Sequence, residues 1–212
     1  MARTGFAVVV LGLLLLTVAA QAQVLAPPVD LLAGLRSGWL AAEFRGAGDG
    51  AVTGIIAAAP GAAIAQVNIP SGTQFFAQRP GVQGQTALGS ATINLGEARL
   101  AQVTLTTACT NLGLATPTPE DLMVPAACPD ARMAQLAVTL DRYPAPQPVA
   151  QLAVWALSNN PPPWLLQPYL MQVAPGFDRF AADQRRGLVL QAADLLMTAG
   201  LSPQAFRMFW GR

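Results

Sequence analysis

The sequence contains no histidine and no lysine, has only two cysteines, and carries charge on just 11% of its residues. Each scarcity removes a class of chemistry. General acid–base catalysis usually recruits histidine, so only carboxylates remain for that work. A serine hydrolase would need the missing base and a G-x-S-x-G elbow, and neither is present. Two cysteines without histidine cannot furnish a zinc site. Asp49 sits in the turn GAGDG without the regularly spaced acids of a calcium loop. The Gly-rich stretch GVQGQTALG (81–89) has no lysine and no following helix, so it is no phosphate loop. Glu120 and Asp121 are adjacent, which makes them point apart on a helix, where they would serve as first-turn acids. The expectation is a protein that is not an enzyme and needs no cofactor or metal. A carboxylate-only hydrolase is a second alternative, unsupported by any spacing.

What is present begins with an export signal. Arg3 precedes an apolar run from Phe6 to Val18, and Ala20-Gln21-Ala22 supplies the small-x-small pattern of a cleavage site. The run is shorter than the roughly 20 residues of a bilayer-spanning helix. Residues 1–22 therefore read as a signal peptide, with no membrane span after cleavage. The destination is the periplasm, the cell surface or the medium. Cleavage removes Arg3, leaving 11 Arg against 11 acids. A neutral chain makes nucleic acid a poor partner. So few charges suit a chain that sits against a protein or envelope component.

Along the mature chain, residues 23–37 read as a lead segment with a short helix after Asp30. From residue 38 the pattern alternates with the period of strands. Leu40, Ala42 and Phe44 share a face. Ala51–Ala58, Ala63–Ile69, Thr73–Gln78 and Gln85–Leu95 follow, and Arg99–Ala108 places Ala101, Val103 and Leu105 inward. Strands at this spacing predict an antiparallel β-sandwich over residues 38–117. The character then turns helical over 118–212. Thr118-Pro119-Glu120-Asp121 has the composition of a helix start. Ala131–Asp141, the nearly all-apolar Pro148–Ser158, Trp164–Val173 and Asp178–Ala199 read as helices, and Gly200 as a stop. Phe206, Phe209 and Trp210 would close the core from the chain end. The predicted class is α+β, strands first and helices second.

Two stretches concern the cysteines. In an exported chain, Cys109 and Cys128 read first as a disulfide closing a loop of 18 residues, worth about 3 kcal/mol in the chain-entropy model. Separately, Gln151-Leu152-Ala153-Val154-Trp155 puts Gln151 and Trp155 on one helix face. This run resembles the Gln-x-Ala-(Ile/Val)-Trp motif of thioester domains in bacterial surface adhesins. That resemblance implies a β-rich part joined to a helical part. It also implies an internal thioester between Cys109 and Gln151, shielded from water by Trp155. The layout P-S-G-T-Q-F (70–75), C-T-N (109–111) and Q-L-A-V-W (151–155) also resembles exported bacterial proteins of β-plus-helical build. The functional expectation is an exported, non-catalytic domain for surface or envelope interaction. A covalent thioester adhesin is the alternative.

Overall fold

The computed structural model describes residues 27–48, 50–166 and 182–210. The stretch read as a signal peptide, Asp49, the start of the expected lead segment, most of the helix expected over 164–173 and the expected cap at Asp178 lie outside the described residues.

The chain enters through β1 (Val29–Asp30) and α1 (Leu31–Arg36), whose first turn is capped by the Asp30 carboxylate accepting from the Ala33 amide. Then come β2 (Leu40–Gly46), β3 (Ala51–Ala58), β4 (Gln66–Ile69), β5 (Gln74–Ala77), β6 (Gln85–Ala87), β7 (Ala91–Asn94), β8 (Leu100–Cys109) and β9 (Leu122–Ala126). The helices α2 (Ala131–Arg142), α3 (Gln147–Ser158) and α4 (Ala182–Thr198) follow, with short 3₁₀ turns at Pro203–Ala205 and Arg207–Phe209.

The expected sandwich is corrected to a barrel. Six strands close in the order β2-β3-β8-β6-β5-β9, each pair antiparallel, while β1, β4 and β7 form a small separate sheet. The element that closes the ring is β9, which falls where a helix start was expected. It pairs with β5 on one side, from Gln74↔Ala126 to Ala77↔Met123. On the other it pairs with β2 through Phe44↔Met123 and Arg45↔Leu122. With β9 in place neither β5 nor β2 is an edge, and closure replaces two stacked sheets.

The residues of the expected helix start do something else. Thr118 donates its amide and hydroxyl to the Asp121 carboxylate, and the Asp121 amide donates back to the Thr118 carbonyl. The Arg79 guanidinium then grips both Asp121 oxygens, at 2.6 and 2.9 Å, across the β5–β9 edge of the barrel. This turn delivers the chain into a strand, because Arg79 and the β5 ladder claim the groups that a helix would have used.

The alternation in β8 is as read. Val103 and Leu105 lie inside the barrel with Phe44, Val52, Ile56, Phe75 and Met123. Phe44 and Phe75 meet edge-to-face, centroids 5.1 Å apart. A second core lies outside the barrel wall. There α2 contributes Met133, Leu136 and Leu140, α4 contributes Ala192 and Leu195, Ala199 follows just beyond it, and Phe206 and Phe209 close the end, while Trp210 is exposed. Every residue of α3 from Val149 to Leu157 is buried, which explains why that stretch is apolar all round except at Gln151. Ala108 and Leu88 join this second core from the outer face of the barrel.

Candidate functional site

The site forms where β8 outruns its neighbour. β3 pairs with β8 only as far as Ala51↔Thr106, and the last ladder bond runs from the Thr107 amide to the Gly50 carbonyl. Beyond it the β2–β3 hairpin turns away, with the Gly48 amide donating to the Pro117 carbonyl. Cys109 is thus left with an amide and a carbonyl facing a side that no strand occupies. Orphaned backbone groups at such depth are costly, so a partner is expected.

The partner is Gln151 of α3. Its Oε1 accepts from the Cys109 amide at 2.8 Å, and its Nε2 donates to the Cys109 carbonyl at 2.8 Å. Both residues are fully buried. The glutamine amide continues the sheet in place of β3, joining a strand end and a helix that lie 42 residues apart in the chain. Trp155, one turn further along α3, is buried on the same helix face.

On its other flank Cys109 pairs with Gln85 of β6. The Gln85 side chain lies at the barrel end, its Nε2 donating to the Gly48 carbonyl at 2.9 Å and standing 3.8 Å from the Cys109 sulfur. The following Cys-Thr-Asn turn is pinned too. The Thr110 amide donates to the Gly84 carbonyl, the Gly84 amide to Asn111 Oδ1, and the Leu112 amide to Asn159 Oδ1 at the end of α3. Gly50, with φ +94°, roofs the site, and a Cβ there would stand 2.8 Å from Gln147 Nε2. Only glycine fits that combination of backbone and crowding.

The expected Cys109–Cys128 disulfide is corrected: the two cysteines are not bonded to each other. The strand order gives the reason. Cys109 ends β8 and Cys128 follows β9, and in the six-strand ring those strands are opposite each other. Across a closed ring of six strands spaced about 4.8 Å apart, opposite strands stand at least about 10 Å from each other, beyond the Cα separation of at most about 7 Å that a disulfide spans. Cys128 instead donates to the Asp130 carbonyl and lies near Gln74 Nε2.

Among the described residues no group of three or more acids or cysteines gathers as a metal site would require. Glu43, Asp121 and Asp130 are each tied to an arginine, at Arg45, Arg79 and Arg132. The bidentate Arg79 contact, helped by the Thr118 amide, holds the Asp121 carboxyl far below its ordinary range. The residues that sequence reasoning missed are Gln85 and Gln147. Gln147 precedes Gln151 by one turn, and the Gln147-Gln151-Trp155 spacing was the available signal. No protein-family model, curated protein or solved structure matches the chain.

Proposed function

We propose that this chain is an exported surface-interaction domain in which Cys109 and Gln151 form an internal thioester that captures an amine. The observation that supports the reading is the docking of the Gln151 amide onto the Cys109 backbone, with both residues buried. In closure, Cys109 Sγ bonds to Gln151 Cδ, the Cδ–Nε2 bond breaks, and ammonia leaves with the thiol proton. In capture, the nitrogen of a neutral amine attacks Cδ. An amide forms, the Cδ–Sγ bond breaks, and the proton lost by nitrogen returns to sulfur. The reaction occurs once per molecule, in keeping with the scarcity of acid–base groups. Trp155 and the apolar run of α3 keep water from the bond until a nucleophile arrives. The test is methylamine treatment of the purified mature protein, followed by peptide mapping. The reading expects methylamide at Gln151 and one newly alkylatable thiol at Cys109, without any reductant. Unmodified Gln151 after treatment overturns it.

A second reading rests on the completeness of the same contact. Both amide atoms of Gln151 are already engaged by the Cys109 backbone, as a purely structural brace would require. In that case interaction is non-covalent. The exposed apolar stripe of Phe76, Leu122 and Val124 on the outer faces of β5 and β9 is the surface for it.

A further inference from the structure

A groove of about 310 Å³ opens on the outer face of β8 and reaches α3 at Gln147, one turn before Gln151. Its walls include Leu88, Thr106, Leu140, Ala145, Asp141 and Gln147. Three observations make it more than a crevice. Asp141 is held rigidly at the rim, where its carboxylate accepts from the Ser90 amide and hydroxyl at 2.8–3.0 Å. Among the described residues it forms no ion pair, so its negative charge faces the groove uncompensated. At the inner end, Gln147 Nε2 is buried and has no hydrogen-bond partner. That amide abuts Gly50, beside the Thr107 carbonyl, two residues before Cys109 on β8 and one turn before Gln151 on α3. An unsatisfied buried amide loses no hydrogen bond when it swings aside, and it can take up a donor or acceptor brought by a ligand.

We propose that this groove is a binding site for an alkyl diamine or polyamine, with Asp141 holding one ammonium group and Gln147 gating the passage of the other toward Gln151. The capture step rests on the thioester reading, whereas the binding step does not. A single charged amine held by Asp141 would be kept at the rim, away from Gln151. A ligand with two amines on an apolar spacer satisfies both ends, and Leu88, Leu140 and Ala145 supply a surface for the spacer. Reaction at the inner end follows the capture chemistry above: the neutral second amine bonds to Gln151 Cδ and the thiol is released.

Two measurements test this, with 1,5-diaminopentane and pentylamine as probes. In Cys109→Ala, which cannot form a thioester but keeps the backbone groups that bind Gln151, 1,5-diaminopentane is titrated against the backbone NMR spectrum. Saturable shifts are expected at the amides of Ser90 and Gln147, and Asp141→Asn should abolish them while still accepting from Ser90. No shifts, or equal shifts in Asp141→Asn, overturn the site. In the wild-type protein, adduct formation with each probe is timed by intact mass at low salt. The diamine should react about three- to fivefold faster than pentylamine beyond the statistical factor of about two, the size expected of one partly screened ion pair. Asp141→Asn should reduce the ratio to the statistical factor. An unchanged ratio in that variant overturns the role of Asp141. Binding in Cys109→Ala with no adduct from either probe in wild type leaves the site standing and removes the thioester reading alone.

Discussion

Replacing Gln151 by methionine isolates the contact at the centre of the site. Methionine preserves length and most of the volume, so the cavity contribution stays small. What changes is that the Cys109 amide and carbonyl both lose their partner while remaining buried. Leaving one buried backbone group unsatisfied costs about 1–3 kcal/mol, so two place the loss at about 2–6 kcal/mol. Against a total stability on the order of 5–15 kcal/mol, that is a large fraction. The comparison belongs in a Cys109→Ala background, where no covalent link can contribute to the reference. Urea unfolding followed by tryptophan fluorescence gives the two midpoints. With an unchanged slope, the shift in midpoint converts directly to the free-energy difference. A loss below about 1 kcal/mol would refute the reasoning, because it would mean that the Cys109 backbone finds water or another partner without Gln151.

Trp155→Ala should cost about 3–5 kcal/mol, as for other buried large-to-small changes, and a thermal midpoint shifted by only a degree or two would contradict its place in the core. Acid should weaken the fold through Asp121. Its folded carboxyl is held low by Arg79 while the unfolded one titrates near 3.9, so its stabilisation is complete above that value and is lost as pH falls below it. Thermal melts from pH 6 to 2 should therefore decline less in Asp121→Asn than in wild type; parallel curves would contradict this. In native protein without reductant, Cys128, which is half-buried, should be alkylated while Cys109 is not, and a need for reductant to label Cys128 would restore the disulfide.

Much of the architecture was legible because local pattern and tertiary role agree. The alternation of β8, the stripe of α2, the buried run of α3 and the stop at Gly200, with φ +71°, all follow from period and capping. β9 was not legible. Leu122-Met123-Val124-Pro125-Ala126 is short, contains proline and shows its apolar Leu122 and Val124 to solvent. Its strand identity comes from neighbours far away in the chain, and Pro125 is tolerated because the pairing with β2 has already ended at Met123. One missed strand turned a barrel into a sandwich. It also left Cys128 free to be imagined beside Cys109, since only ring closure sets β8 and β9 opposite each other. The Cys109–Gln151 juxtaposition came from a five-residue resemblance. The chain's own signal for it was a polar residue inside an otherwise apolar buried helix, which demands a partner. The hairpin's early departure from β8, which creates that demand at Cys109, depends on where β3 stops, and no local pattern marks it.

The most direct test of the account is the intact mass of the mature protein, purified without reductant and never exposed to amines. The thioester reading predicts a mass lower than the sequence mass by one ammonia, restored to the full value in both Cys109→Ala and Gln151→Ala once the substitution itself is counted. A wild-type mass equal to the sequence mass, or lower by two hydrogens, would contradict it.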